Sequence, residues 1–282
     1  MKTMQLLAAA AAIVLTAEAA DAAVLYGANG SGGNASSLVI IDQTTGAVSS
    51  TVGAIVDGEG NGISITGLAF NPLDGKLYGS QGMFVGGAPG LYEIDVNTAL
   101  ATRIGSFNVD NQTAADISFG SDGTLYGFIE SASDDLATIN ISTGQATIVG
   151  EANINGANSG LVVVDATTAI YMGNDSIFEI DLGTGASTFI GDTDGLFVGM
   201  GVDIDLDSGV IFAIQRLNFI NRNLVTVALD GAVTVIGTTL DRLDALAFLP
   251  DGPTGGDAPE PATLALVGLG LAGLGLMRRR KE

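Results

Sequence analysis

Two aspartates and two short acidic runs are the residues of this chain whose types and spacing could do chemistry. Asp116 and Asp203 fall on matching segments of a repeated pattern set out below. Paired carboxylates a few ångströms apart are the apparatus of glycoside hydrolysis, one serving as acid and the other as base or nucleophile. The other reading is that both are strand-end acids held by hydrogen bonds or water, and the chain has no tryptophan to serve as a sugar platform. The acidic runs are Asp203-Ile-Asp205-Leu-Asp207 followed by Gly209, and Asp57-Gly-Glu59-Gly-Asn61-Gly62. Oxygen ligands at alternate positions with glycine to curl the loop are how a hard cation such as calcium is wrapped. Neither run has the acidic twelfth residue of an EF-hand, since Ile214 and Leu68 stand there, and Asp207 aligns with the ordinary turn residues Asp74 and Asp122. Calcium is the one cofactor suggested, with plain turns as the alternative.

Other chemistry is closed by composition. The chain has no cysteine and no histidine, so disulfides, thiolate catalysis, Ser-His triads and histidine-ligated zinc are all excluded. Only Lys76, Arg103, Arg216, Arg222 and Arg242 are basic between Val24 and Asp257, where all but four of the 31 carboxylates also lie. A field of that sign repels nucleic acid and keeps a domain soluble. The Gly-rich patch around Gly30 has no lysine partner and opens no helix, which argues against a phosphate loop. The Asn-x-Ser/Thr sequons at Asn34, Asn111 and Asn140 are expected by chance in a sequence of this composition.

The elements that must position these residues form a repeat. An aromatic segment recurs at Tyr26, Tyr78, Tyr126, Tyr171 and Phe212, at spacings of 52, 48, 45 and 41 residues. Each is followed by a hairpin of period 2 centred on Thr-Gly or Asp-Gly in most copies and ending at Gly53, Gly105, Gly150, Gly191 or Gly237. A further strand ends at Phe70, Phe119, Val164, Ile204 or Phe248. The first four of these run into the next aromatic segment across a short turn. The strand at Tyr26 has none before it and the strand at Phe248 has none after it. These two orphans complete each other if the chain closes on itself, which predicts an all-β, five-bladed β-propeller of four-stranded blades spanning residues 23–252, with a β-sandwich as the alternative fold. In a propeller the strands ending at Phe70 through Phe248 line the axis. At equivalent positions they carry Ala69, Ser118, Val163, Asp203 and Ala247, and two residues earlier Gly67, Asp116, Leu161, Gly201 and Ala245. Asp116 and Asp203 are thus the two axial carboxylates, in the third and fifth blades.

The ends carry addresses. Lys2, an apolar run from Leu6 to Thr16 and small residues after it predict a signal peptide over residues 1–22, cut by signal peptidase before Ala23, with Ala17-Glu18-Ala19 as the alternative site. After a linker at 253–258, the C-terminal segment has a Pro259-Glu260-Pro261 spacer, an apolar stretch over 262–277 and a basic cluster of Arg278, Arg279, Arg280 and Lys281. As a helix the stretch spans about 24 Å against a hydrocarbon core of about 30 Å, marginal for a permanent transmembrane helix and adequate for a transient one. The basic end is expected to stay cytoplasmic.

PEPATLALVGLGLAGLGLMRRR closely resembles the PEP-CTERM sorting signal, an ordinary single-span anchor being the alternative. The resemblance covers the last two dozen residues and implies recognition by exosortase, a membrane enzyme that cuts near the PEP motif, in Gram-negative bacteria that make exopolysaccharide. It makes Pro259, Glu260, Pro261, Arg278, Arg279 and Arg280 sorting residues, and implies export across the inner membrane, transient anchoring there, and delivery to the cell surface or matrix. The reading that follows is a non-enzymatic binding or structural module, whose partners are exopolysaccharide or surface proteins. The competing reading is a secreted hydrolase, either a glycosidase using Asp116 and Asp203 or a metal-assisted lactonase-like enzyme.

Overall fold

The structure is a computed structural model that describes residues 23–30, 35–82, 89–109, 112–130, 134–154 and 159–249. The expected signal peptide, linker, apolar stretch and sorting residues lie outside the described residues. Among the described residues no helix is long and apolar enough to cross a membrane.

Among the described residues twenty strands form five four-stranded antiparallel sheets arranged in a ring, a five-bladed β-propeller. The first blade joins β1 (Val24–Asn29), β2 (Ser37–Ile41) and β3 (Val48–Ala54). The second holds β4 (Ile65–Phe70), β5 (Leu77–Gln81), β6 (Gly90–Ile94) and β7 (Ala101–Ser106). The third holds β8 (Ala114–Phe119), β9 (Leu125–Ile129), β10 (Asp135–Ile139) and β11 (Ala146–Glu151). The fourth holds β12 (Ser159–Val163), β13 (Thr168–Gly173), β14 (Ser176–Asp181) and β15 (Ser187–Asp192). The fifth holds β16 (Val198–Asp205), β17 (Val210–Arg216), β18 (Arg222–Val227) and β19 (Val233–Thr238). The last strand, β20 (Leu243–Leu249), returns to the first blade as its innermost strand, pairing Tyr26 with Ala247 and Leu25 with Phe248. The orphan segments at Tyr26 and Phe248 therefore do complete one another.

The hairpins close as their sequences dictate. Asp42 Oδ1 accepts the N–H groups of Thr44 and Thr45 at 2.8 and 3.0 Å, and Gly46 follows at φ 75°. Asp95, Asn140 and Asp181 repeat this cap in the next three blades. In the second blade Ala99 occupies the left-handed position at φ 59°, where the other blades have glycine.

Blades pack on one another through features the repeat already displays. Four of the five recurring aromatics lean on the inner strand of the next blade, and where that strand ends in Phe the rings meet edge-on. The pairs are Tyr26 with Phe70, Tyr78 with Phe119 and Phe212 with Phe248, at 5.3, 5.3 and 5.2 Å between centroids. Tyr171 instead packs against Phe128 of the preceding blade at 4.4 Å between centroids, since Ala169 and not Tyr171 pairs with Val163. Among the described residues five apolar clusters form, one between each pair of neighbouring blades. At the periphery the glycine ending each hairpin sits against the turn of the next blade. A Cβ on Gly105 would lie 1.9 Å from the carbonyl oxygen of Thr143, and one on Gly237 would lie 2.1 Å from that of Thr45. The second contact joins the fifth blade to the first, so the ring is closed by the same fit that joins its interior blades.

The inner strands are not regular ladders. The register shifts between Ala28 and Asn29 opposite β20, between Ile65 and Gly67, between Ala114 and Ile117, and between Val198 and Val202. These bulges gather at the starts of the inner strands and re-aim the side chains there. Only β12 among them pairs without a shift.

Candidate functional site

The inner strand of a propeller has no further strand on its axial side, so its outward-facing N–H groups need acceptors. Three polar side chains supply them. Ser118 Oγ on β8 accepts Val163 N–H on β12 at 3.0 Å. Asp203 Oδ2 on β16 accepts Phe248 N–H on β20 at 2.6 Å, while its Oδ1 accepts Ile204 N–H at 2.9 Å. Asp116, released by the β8 bulge, reaches furthest: Oδ1 accepts Ile117 N–H at 2.9 Å, and Oδ2 accepts Leu161 N–H at 3.1 Å and Val202 N–H at 3.4 Å. It therefore bonds to three inner strands. Gly67 on a fourth lies so close that a Cβ there would stand 2.7 Å from the Asp116 Cα and Oδ1.

Burial dominates the electrostatics of both aspartates. Asp116 is 0% exposed, and desolvation pushes its carboxyl well above the usual range despite its N–H donors, with the nearby Asp203 charge adding to the rise. Desolvation also raises Asp203, to about 7, against the opposing effect of the N–H bonds from Phe248 and Ile204. The two candidates are thus brought together at the axis, electrostatically coupled, with much of their oxygen capacity already committed to the backbone of adjacent blades.

Of this pair, Asp203 lines a cavity. At the end of the axis where the inner strands finish, a pocket of about 410 Å³ is walled by Ala69, Ser118, Val163 and Asp203, the four matching positions of β4, β8, β12 and β16. Phe70, Phe119 and Phe248 add apolar surface, and Asp165, Asp205 and Asp207 stand at the rim. The volume falls in the range of small-molecule pockets. A carboxyl titrating near neutrality in such a wall can donate a hydrogen bond or a proton below pH 7 and accept one above it.

The calcium candidates lie in loops closed by their own hydrogen bonds. Asp57 Oδ1 accepts the N–H groups of Glu59 and Asn61 at 2.9 and 2.8 Å, and Oδ2 accepts Asn61 Nδ2 at 2.9 Å, so this loop is folded onto its own first residue. Hydrogen bonds from the Asn61 side chain and backbone hold Asp57 below the usual carboxylate range. Asp205 accepts Asp207 N–H at 3.1 Å and the Ser208 hydroxyl at 2.6 Å, while Asp203 is turned to the axis. Among the described residues no three carboxylates are gathered as a metal cage.

A second polar centre, which the sequence reading missed, lies at the other end of the axis. Arg222 is only 1% exposed, and donates from Nε to Leu243 O at 3.2 Å and from one terminal nitrogen to Asn218 O at 2.7 Å and Asn221 O at 3.2 Å. Beside it is Asp244, the residue left over in the β20 bulge. Burial raises its carboxyl to about 7 even though Arg222 pulls the other way, and Glu130 adds to the rise. Desolvation raises Glu130 as well.

Comparison with known proteins adds two family matches. The description "repeat of unknown function (DUF6923)" matches residues 16–195. The chain belongs to this repeat family. The DUF6923 match takes in β1 through β15, the strands that make up the first four blades apart from β20. The PEP-CTERM protein-sorting motif matches residues 257–281, in agreement with the resemblance of the C-terminal segment. It implies an exported protein, processed by an exosortase-type enzyme and sorted through membrane anchoring to the surface of a Gram-negative cell. None of the curated proteins matches the chain.

Among solved structures, this DUF6923 member is similar to TolB from Acinetobacter baumannii, with a TM-score of 0.50 at 18% identity over 78% of this chain and 54% of that one. It is also similar to a protein of unknown function from Bacteroides thetaiotaomicron, with a TM-score of 0.51 at 15% identity over 71% of this chain and 54% of that one. The chain thus spans about half the length of both, and at these identities the likeness is one of fold.

Proposed function

We propose that this protein is a surface or exopolysaccharide-matrix component whose propeller acts as a non-enzymatic binding or structural module, with the axial cavity as its docking site. The carrying observation is the use of the axial acids. Asp116 and Asp203 accept backbone N–H groups from neighbouring blades, so their position is accounted for by holding the ring. The cavity beside them has a largely aromatic and aliphatic wall, with Asp203 in it and Asp165, Asp205 and Asp207 at its mouth, which suits docking. The sorting motif supports delivery of this module to the outside of the cell.

The hydrolase reading rests on one observation, that Asp203 titrates near 7 where it faces the cavity.

The test has a sorting arm and a binding arm, both in a Gram-negative host that carries an exosortase. Full-length chain is expected in the surface or matrix fraction, and chain lacking residues 259–282 is expected to leave it; the same distribution for both would defeat the sorting claim. Retention of the full-length chain on the host's extracted exopolysaccharide is then compared with Ala69→Phe, which narrows the cavity. Equal retention would remove the cavity as the polysaccharide site. Release of reducing ends by the full-length chain, lost in Asp203→Asn, would instead favour the hydrolase.

A further inference from the structure

Five large apolar side chains stand exposed together where the loop after β17 meets the loop before β16: Leu196, Phe197, Leu217, Phe219 and Ile220. Phe219 is 71% exposed. The two loops are tied by the hydrogen bond from Arg216 N–H to Phe197 O at 2.7 Å. Exposed clusters of this kind on a soluble domain mark interaction surfaces.

The loop 217–221 is held in shape from beneath. Buried Arg222 binds the carbonyls of Asn218 and Asn221, Asn218 Oδ1 accepts the N–H groups of Ile220 and Asn221 at 2.8 and 2.9 Å, and Arg242 N–H donates to Ile220 O at 2.8 Å. A loop whose backbone is fixed by a buried guanidinium loses little freedom on binding, which is what an aromatic anchor requires.

The charge around the loop is unlike the rest of the molecule. Arg216, over the Phe219 ring at 5.1 Å, Arg222 and Arg242 are three of the five basic residues between Val24 and Asp257, and Arg222 feels the charges of the other two. Arg222 is buried and matched by Asp244, so the charge presented at the surface here is that of Arg216 and Arg242. Asp241, which accepts from Asn221 Nδ2 at 3.3 Å, and exposed Asp194 are acids on the same rim, so this end is close to balanced where the rest of the molecule is acidic. The opposite end of the molecule presents the complement, an apolar cavity with Phe70, Phe119 and Phe248 in its wall and Asp165, Asp205 and Asp207 at its mouth. The two features are at opposite ends because β20 runs between them. Its start lies beside Ile220, and its end at Phe248 and Leu249 lines the cavity, about 20 Å away by the strand rise.

We infer that the loop 217–221 of one copy docks into the axial cavity of a second copy, with Phe219 as the anchor and Arg216 and Arg242 facing the aspartate rim. This rests on reading the cavity as a docking site and names its occupant. A bilayer is the poorer partner, because the chain leaves the domain from Leu249, so a membrane tether would hold the loop end away from the lipid. The contact uses two different faces, so it is heterologous: each copy keeps one free loop and one free cavity, and association continues into chains unless the rotation closes. That would make the module structural.

The absence of cysteine makes the test clean. Full-length chain in detergent, at about 0.15 M salt to screen the net negative charge, carries Leu217→Cys, which leaves the Phe219 anchor in place, or Leu206→Cys, an exposed cavity residue. A short bismaleimide added to the mixture is expected to give a mixed dimer. Its yield should exceed by about 100-fold that of Leu217→Cys with Thr102→Cys on β7, since docking raises the effective concentration from about 10 micromolar to about 1 millimolar. The double variant Leu217→Cys/Leu206→Cys is expected to give a ladder, and Phe219→Ala or Asp205→Lys/Asp207→Lys added to it to lose the ladder. Mixed dimer no more abundant than the control, or dominant Leu217→Cys self-dimers, overturns the inference. If Ala69→Phe abolishes polysaccharide retention while no cross-link forms, the docking-site reading stands and only the second copy falls.

Discussion

The Asp203 carboxylate and the Phe248 N–H meet at 2.6 Å, joining the fifth blade to the strand that completes the first. The Ser118 hydroxyl and Val163 N–H make the same kind of bond between the third and fourth blades. Side chains on one inner strand thus supply the acceptors that a missing neighbouring strand would have supplied to the next.

This arrangement gives stability a maximum in mildly acidic solution. Asp203 and Asp244 are raised to about 7 by burial, so the fold binds protons that the unfolded chain has already released. Their contribution is fully present below the ordinary carboxylate pKa and is lost as pH rises from about 4 through 7. Asp42, Asp95 and Asp181 are held low by hydrogen bonds in their turns, so their contribution is present above the ordinary pKa and is lost as pH falls through the folded value. Thermal unfolding followed by circular dichroism from pH 3 to 9 is expected to show both limbs. Asp203→Asn keeps an oxygen for Phe248 N–H and should flatten the neutral limb; a melting temperature flat from pH 4 to 8 in the parent would contradict the assignment.

Asp116→Ala should be among the most damaging substitutions in the chain. It strips acceptors from Ile117, Leu161 and Val202 N–H groups in a fully buried place, at about 1–3 kcal/mol for each group left bare. Asp116→Asn, which retains one oxygen, should recover some of that loss. Urea unfolding distinguishes the three proteins, and an Ala variant within about 0.5 kcal/mol of the parent would refute the hub.

Matching glycines at the blade seams should differ sharply. Gly105→Ala places a methyl 1.9 Å from Thr143 O and must force the second and third blades apart, at about 1–3 kcal/mol. Gly53→Ala meets nothing closer than 3.7 Å and should be close to neutral. Equal effects on the unfolding midpoint would show that the seams are softer than their geometry.

Calcium should leave the protein unchanged. Asp57 and Asp205 already accept hydrogen bonds within their own loops, and a cation would have to displace these contacts. Melting after chelation is expected to be the same with and without millimolar calcium chloride; a rise that saturates would restore the metal reading.

The blades were legible because each is built from local signals. The aromatic segments, the Asp/Asn-x-x-Thr turns of the first four blades and the terminal glycines repeat in the order in which the strands pair, and the two orphan strands announce the closure. Their reasons were not legible: the aromatic at Tyr26 faces Phe70 across a blade boundary, and Gly237 answers to Thr45 nearly the whole domain away. At the site, Asp116 and Asp203 could be placed on inner strands, but their partners are backbone N–H groups 45 residues further on, which no side-chain pattern encodes. Asp244 escaped because a bulge lifts it out of the two-residue alternation by which the inner strands align. Arg222 escaped because an arginine in a half-polar strand reads as surface, whereas the loop carbonyls it binds are what bury it.

The return of β20 to the first blade sets an order of events. Strands β1 to β3 leave the ribosome and cross the membrane first, yet their sheet lacks its innermost member until the final strand arrives. The long sequence separation makes that closure a slow step, and the unpaired edge of β1 is an aggregation hazard throughout the wait. The blade begun earliest is the one finished last, and it can be finished only after the chain through Leu249 has crossed. Only residues 250–258 separate that strand from the PEP motif, at most about 30 Å of chain, so the step that closes the ring and the motif that directs sorting are neighbours in the sequence.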